Sequence, residues 1–225
     1  MPSLGQKDPG SRFTSGTGGV RIGMTGKEVV LMKLYDISQE VFSCAVYPGD
    51  PRPRREVLSS MEAGDLYNLT AFSMCAHNGT HVDAPAHFIR EGKTVEELGL
   101  EAFVGPCFVA RHEGPVTAED AEEILRKAQG DPRILLRGEV TVTEEAARVF
   151  AGSGICLLGN EGTTVGPVDA PMAVHRLLLG RGIALLEGIL LQHVPEGRYL
   201  LSAAPLDLAG SDGAPCRAFL IGGLL

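Results

Sequence analysis

The sequence contains no tryptophan, and aromatic residues make up only 5% of it. Its core must therefore be filled by aliphatic side chains rather than large rings. No apolar run approaches the roughly 20 residues that a membrane-spanning helix needs, so no membrane partner is expected. The polar, Gly/Ser-rich N-terminus lacks the apolar core of a secretion signal. Cysteine is sparse: Cys44, Cys75, Cys107, Cys156 and Cys216 are widely spaced and form no C-x-x-C. That excludes a disulfide framework and a cysteine-based zinc knuckle, and it makes a reducing, cytoplasmic location the expectation. Basic residues are also in deficit, 20 Lys and Arg against 28 Asp and Glu, for a net charge of −8. An acidic surface of this kind argues against nucleic acid as a partner.

What is present suits one large domain. The chain has 225 residues, of which 44% are apolar and 21% charged. Seven glycines fall within the first 26 positions, and ordering such a stretch would cost backbone entropy with little apolar burial to offset it. Residues 1–27 are therefore expected to form a flexible arm, and residues 28–225 the folded domain. Val29 to Tyr35, Val104 to Ala110, Ile134 to Leu136, Ile155 to Leu158, Ile183 to Ile189 and Cys216 to Ile221 read as strands. Pro106 marks the second of these as an edge or bulged strand. Thr117 with Asp120 resembles a capping box opening a helix that runs to about Gln129. Thr143 caps a second helix from Glu144 to about Ala151, and Asp169 and Pro171 open a third that Gly180 closes. Mixed strands with a few short helices give a layered α/β single domain, with too few helices for a doubly wound sheet or a TIM barrel.

The chemistry is concentrated in two places. Three of the six histidines, His77, His81 and His87, lie in one short stretch together with Asp83. Imidazole and carboxylate are ligands suited to zinc, manganese or iron(II). A helix over this stretch is disfavoured by Gly79, Thr80, Val82 and Pro85. An extended segment would point His77, His81, Asp83 and His87 to one side. Alternatively, a tight turn at Asn78-Gly79 would bring the first two histidines together by curvature. The second place is Glu187, alone in the apolar run from Ile183 to Leu191. A buried carboxylate must be protonated, paired or metal-bound, and His175 on the preceding helix is its natural co-ligand, with Arg181 as another possible partner. His112 and His193 read as surface residues. The loop containing Thr163 and Thr164 is a candidate lining for the site.

The stretch His77 to Phe88 resembles, at every specified position, the H-x-G-T-H-x-D-x-P-x-H-F signature of the metal-dependent cyclase-like hydrolases, a family that includes the bacterial kynurenine formamidases. The resemblance extends through Leu34 to Ser38 and Tyr47 to Asp50, then His175 to Leu178, Ile183 to Ile189 and Pro205 to Arg217. It covers about residues 31 to 222. It implies a swivelling β/β/α layered fold and a homodimer or homotetramer. It also implies one or two divalent ions, zinc with manganese as the alternative, held by His77, His81, Asp83, His175 and Glu187. His87 takes the acid/base role, and Tyr47 stands at a substrate-facing position where the formamidases usually carry tryptophan. Gln192 stands where asparagine often follows the glutamate strand.

The activity implied is hydrolysis of an amide, nearest to arylformamidase, the conversion of N-formylkynurenine to kynurenine and formate in tryptophan catabolism. An isatin-type cyclic amide or a lactone is the alternative substrate. Nucleophilic catalysis by Cys75 and a non-catalytic metal-binding module are the rival readings; three histidines and two carboxylates favour an open site over a closed structural one.

Overall fold

The computed structural model describes residues 18–21 and 31–224. The remainder of the expected arm, residues 1–17 and 22–27, lies outside the described residues. In chain order the strands are β1 (Gly18–Arg21), β2 (Leu31–Asp36), β3 (Arg54–Ser59), β4 (Leu69–Ser73) and β5 (His81–Asp83). They continue as β6 (Val104–Arg111), β7 (Gly114–Val116), β8 (Arg133–Arg137), β9 (Val140–Val142) and β10 (Leu157–Asn160). The last are β11 (Ala184–Glu187), β12 (Gly197–Ser202), β13 (Gly213–Pro215) and β14 (Phe219–Gly222). The helices are α1 (Ala118–Ala128), α2 (Glu144–Gly152) and α3 (Met172–Leu179).

Ten strands form one curled mixed sheet in the order β1-β2-β14-β12-β6-β8-β10-β11-β5-β13. Its centre, β6-β8-β10-β11, is parallel throughout, and α1, α2 and α3 make the three crossovers. The apolar runs of these strands alternate between two cores, as a strand's two-residue period requires. Val109, Leu135, Leu157 and Leu186 point into the hollow of the curled sheet, against Tyr35, Leu201 and Leu220. Their neighbours Phe108, Ile134, Leu136, Leu158 and Leu185 point the other way, under the helices, against Ile124, Phe150 and Leu178. This two-sided burial explains why the strands read as unbroken apolar text.

The helix boundaries follow from their caps. Thr117 accepts the Asp120 N–H, and the Asp120 carboxylate accepts the Thr117 N–H, completing the box that opens α1. Thr143 caps α2 by accepting from Ala146. Pro106 did not push β6 to an edge: β6 lies between β12 and β8. The proline precedes the first β8 pair, Phe108 with Ile134. Its missing N–H thus falls where the strand has one neighbour, β12. Strands β3 and β4 form a separate hairpin that sequence patterning did not mark. Nearly all of its residues are exposed.

Candidate metal centre

Most of the site lies at one end of the sheet, where Glu187 ends the parallel strand β11 and β5 runs antiparallel beside it. This is the carboxyl end of the parallel strands, where ligand sites of α/β sheets form. The register sets Glu187 opposite His81 and Leu185 opposite Asp83. Of the two geometries open in the sequence, the chain takes the turn. Asn78-Gly79 bends with Gly79 at φ +65°, and only His81–Asp83 is extended. A Cβ on Gly79 would lie 2.9 Å from Cys44 Cβ, so both conformation and space call for glycine there. Pro85–His87 then forms a 3-10 turn that returns His87 to the cluster.

The turn is locked from behind. Thr80 Oγ1 donates to the Gly188 carbonyl at 2.7 Å and accepts the Gln39 N–H at 2.9 Å, while Gln39 Nε2 donates to the same carbonyl. Gly188 has φ +66°, and a Cβ there would meet the Gly79 carbonyl at 2.3 Å. The two segments of the site are thus pinned to each other through backbone that tolerates no side chain.

Asp83, His81, His175 and Glu187 are buried. Asp83 lies between two groups of nitrogens. Its Oδ1 is 2.8 Å from His77 Nδ1 and 3.3 Å from His81 Nε2, and its Oδ2 is 3.6 Å from His175 Nε2. Glu187 reaches His175 Nε2 at 3.2 Å and His81 Nε2 at 3.6 Å. Two ligand triads, His77/His81/Asp83 and Asp83/His175/Glu187, therefore share one carboxylate.

The far nitrogens decide what this arrangement can hold. His81 Nδ1 donates to the Gly79 carbonyl at 2.9 Å, and His175 Nδ1 donates to the Pro171 carbonyl at 2.8 Å. In the neutral rings that places both Nε2 lone pairs toward the carboxylates. Lone pairs facing carboxylates repel unless a cation or a proton lies between them. Asp83 Oδ2, moreover, is buried without a hydrogen-bond partner, which costs about 1–3 kcal/mol or more if nothing else satisfies it. The donor set therefore fits a divalent ion. Without an ion, protons take its place. Burial would lower the His175 and His77 imidazoles, but Asp83 with Glu187, and Asp83 with Asp212, outweigh it and push them up to about 10 and about 9. Burial would raise Asp83, but the imidazoles of His175, His77 and His81 gathered around it hold it well below the usual carboxylate range.

The five expected ligands thus converge, and His87 stands beside them, its ring stacked on His77 at 4.0 Å between centroids. Arg181 is exposed and forms no ion pair with Glu187 among the described residues. Instead Glu187 Oε1 accepts the Val165 N–H at 2.8 Å, so the loop after Thr163-Thr164 does reach the site. Tyr47 donates to the Val168 carbonyl at 2.7 Å, tying its loop to the segment that leads into α3. Among the described residues it makes no hydrogen bond to the cluster. His193 is exposed, and His112 is half-buried near Asp120, remote from the ligands in its contacts. One participant went unmarked in the sequence. Asp212 Oδ2 lies 3.0 Å from His77 Nε2 and 2.9 Å from His87 Nδ1. Its only signal was its place in the apolar-poor run Gly210 to Gly213, inside the stretch that carried the family resemblance.

A curled mixed sheet with a shared carboxylate between two histidine-bearing triads defines an α/β protein with a candidate dinuclear metal centre. The profile of the family described as "Putative cyclase" matches residues 35–166, and the chain belongs to that family. It is 35% identical to the kynurenine formamidase of Salinibacter ruber, over 84% of this chain and 97% of that protein. Its fold matches a solved structure described as a potential metal-dependent hydrolase with cyclase activity, with a TM-score of 0.71, 30% identity, and coverage of 84% of this chain and 98% of that one. Isatin hydrolase A from Labrenzia aggregata shares the fold with a TM-score of 0.75 at 24% identity, over 85% of this chain and 94% of that one.

Proposed function

We propose that the protein is a metal-dependent amide hydrolase, nearest to arylformamidase, that converts N-formylkynurenine to kynurenine and formate. The observation that carries this reading is the Asp83 carboxylate set between the two ligand triads, in a chain 35% identical to a kynurenine formamidase. His77, His81 and Asp83 would hold one divalent ion, and Asp83, His175 and Glu187 a second; zinc is the first choice and manganese the alternative. A divalent ion at such a site supplies Lewis acidity, lowering the pKa of water toward neutrality and polarising a carbonyl oxygen. The protein's own part is to keep the ligand lone pairs aimed and to move the proton. The Gly79 and Pro171 carbonyls fix the His81 and His175 rings. His87, partly open to solvent beside His77, carries a proton to the departing amine nitrogen, which cannot leave as an anion. Tyr47, tied through its hydroxyl to the Val168 carbonyl ahead of α3, would face the substrate.

A homodimer or homotetramer is part of the same reading. The β3–β4 hairpin leads directly into the motif and exposes Val57, Leu66, Tyr67 and Phe72. An isolated two-stranded hairpin is marginal in water, and a second copy would cover this face. No helix among the described residues is long and apolar enough to cross a membrane. All five cysteines are free, which supports a cytoplasmic location.

The test is turnover of N-formylkynurenine by zinc- and manganese-loaded protein beside a set of isatin-type cyclic amides and lactones. Formate release from the formamide supports the reading. Opening of the cyclic substrates alone would move it to the alternative, and turnover of none with metal bound would leave a binding module.

A further inference from the structure

Asp212 sits at the tip of a segment that the rest of the fold holds still. Its backbone carbonyl accepts the Ala84 N–H at 2.9 Å, and the carbonyl of Ser211 accepts the Val95 N–H at 2.9 Å. Glu96 Oε1 accepts the Gly210 N–H at 2.7 Å on the other side. Gly213 follows immediately and pairs with Asp83 across the ladder of β13 with β5. A Cβ on Gly213 would lie 2.6 Å from the Val82 carbonyl and 2.7 Å from His77 Cε1. Glycine thus lets this backbone come against the His77 ring, and the Asp212 carboxylate is delivered beside it.

What the carboxylate does there follows from its two contacts. One oxygen, Oδ2, lies within hydrogen-bond distance of both His77 Nε2 and His87 Nδ1. A carboxylate oxygen can accept two hydrogen bonds, and both rings must then present an N–H to it. The rings stack at 4.0 Å with 27° between their planes, an arrangement in which both N–H groups reach the same acceptor. For His77 the consequence is that, in the neutral ring, Nδ1, which faces Asp83, is the nitrogen that carries the lone pair. For His87 it is that Nε2 is the nitrogen free to take and give a proton. The carboxylate that orients a histidine in this way sets both its tautomer and its direction.

We propose that Asp212 is the positioning residue of the proton-transfer histidine, and that it joins that histidine to the ligand His77 through one shared oxygen. This rests on the roles given above to His87 and His77. It adds a residue that acts through them without touching the substrate. The side chain is 47% exposed, so replacing it should leave the fold intact.

The competing role for Asp212 is that of a ligand, since it also forms a triad with His77 and His87. The experiment uses the zinc-loaded protein, with Asp212→Asn and Asp212→Ala made alone and in combination with His87→Ala. The first readout needs no substrate: long-range proton–nitrogen NMR of the histidine rings. Neutral His87 should carry its proton on Nδ1 in the wild type and redistribute toward Nε2 in Asp212→Ala. The second is metal content, which should stay at the wild-type level in both variants. The third is turnover of formanilide. Asp212→Ala should lower kcat roughly 10–100-fold with KM held, as loss of an orienting partner does. Asp212→Asn, which keeps an acceptor oxygen, should lose less. In the His87→Ala background the same change should cost less than about twofold, because the residue it acts through is gone.

Three results would overturn the proposal: His87 protonated on Nε2 in the wild type, metal lost in both Asp212 variants, or an undiminished effect in the absence of His87. If the wild type hydrolyses neither formanilide nor N-formylkynurenine, the arylformamidase reading fails. The ring tautomers still decide the role of Asp212.

Discussion

Glu187 and His81 lie directly opposite each other on β11 and β5, with Oε2 and Nε2 3.6 Å apart. This cross-strand pair joins the two parts of the sequence that carry the chemistry. On a strand, successive side chains alternate faces. Register therefore places Glu187 on the same face as His81, and the apolar neighbours Leu185 and Leu186 fill the two cores. A one-residue slip would turn the carboxylate away from the histidines and into a core.

The first prediction concerns occupancy. Protein purified without chelator should contain about one to two divalent ions per chain by elemental analysis. His81→Ala and Glu187→Gln should each lower that number, the first by removing an imidazole from the donor set and the second by removing a carboxylate charge. Glu187→Ala should also destabilise the fold by roughly 1–3 kcal/mol, because the Val165 N–H loses its acceptor in a buried setting. Less than about 0.3 ion per chain after soaking in zinc or manganese would defeat the ligand assignment.

The second prediction is a divergence of stability with pH between the stripped and loaded forms. In the metal-free protein His77 and His175 are raised from 6.5 to about 9 and about 10. A raised histidine contributes stability that is fully present below its unfolded value and is lost as pH rises through its folded one. The stripped protein should therefore weaken from about pH 6.5 upward, most of the loss coming by pH 10. Asp83, lowered from 3.8, contributes stability present above that value and lost in acid. Metal replaces the same protons, so its affinity rises with pH. The gap in Tm between zinc-loaded and chelator-treated protein should widen between about pH 6 and pH 9. A gap that stays flat or narrows would mean that the ion binds elsewhere.

The grouping of these side chains was legible in part from spacing, which left two geometries open at Asn78-Gly79. The roles given to them came from the family resemblance, and the physical reasons for the exceptions are specific. His77, His81 and Asp83 could be read as ligands because three histidines and an aspartate in so apolar a stretch have few other uses. Glu187 stood out for the same reason. The helices were marked by Thr117 and Thr143, whose caps are local. The hairpin β3–β4 was not marked because its residues alternate weakly and bury almost nothing. Asp212 was missed because an aspartate in a Gly-Ser-Asp-Gly run looks like any turn. Only tertiary pairing of β13 with β5 brings it to His77. Pro106 misled because a proline's cost depends on whether a ladder runs past it, which the sequence does not state.

The third prediction addresses the exposed hairpin. Leu66 is 94% exposed and Phe72 58% exposed, so polar replacements there should change monomer stability by no more than about 0.5 kcal/mol. If a second copy covers this face, Leu66→Asp with Phe72→Ser should convert a dimer or tetramer to a smaller species in light scattering, at unchanged secondary structure. An unaltered assembly would place the interface elsewhere, and a monomeric wild type would remove it.

The last prediction separates ligand from proton carrier. His87 lies against His77 yet belongs to neither triad that shares Asp83. Its Nδ1 is taken by Asp212. If its task is proton transfer, His87→Ala should keep both metal and fold and lose roughly 10²–10⁴-fold in kcat on an aryl formamide, about 3–5 kcal/mol of transition-state stabilisation. The loss should be much smaller on an activated ester, whose leaving group departs as a stable anion and needs no proton. Stability offers an independent check: the ring is partly exposed and contributes no buried charge pair to the Asp83 centre. Tm should therefore move far less than for His81→Ala, which leaves buried carboxylates facing one imidazole fewer. Metal content, Tm, and kcat on the two substrates together decide the matter. Loss of metal would make His87 a ligand. Equal losses on amide and ester would assign it a binding role, and full amide activity would remove it from the reaction.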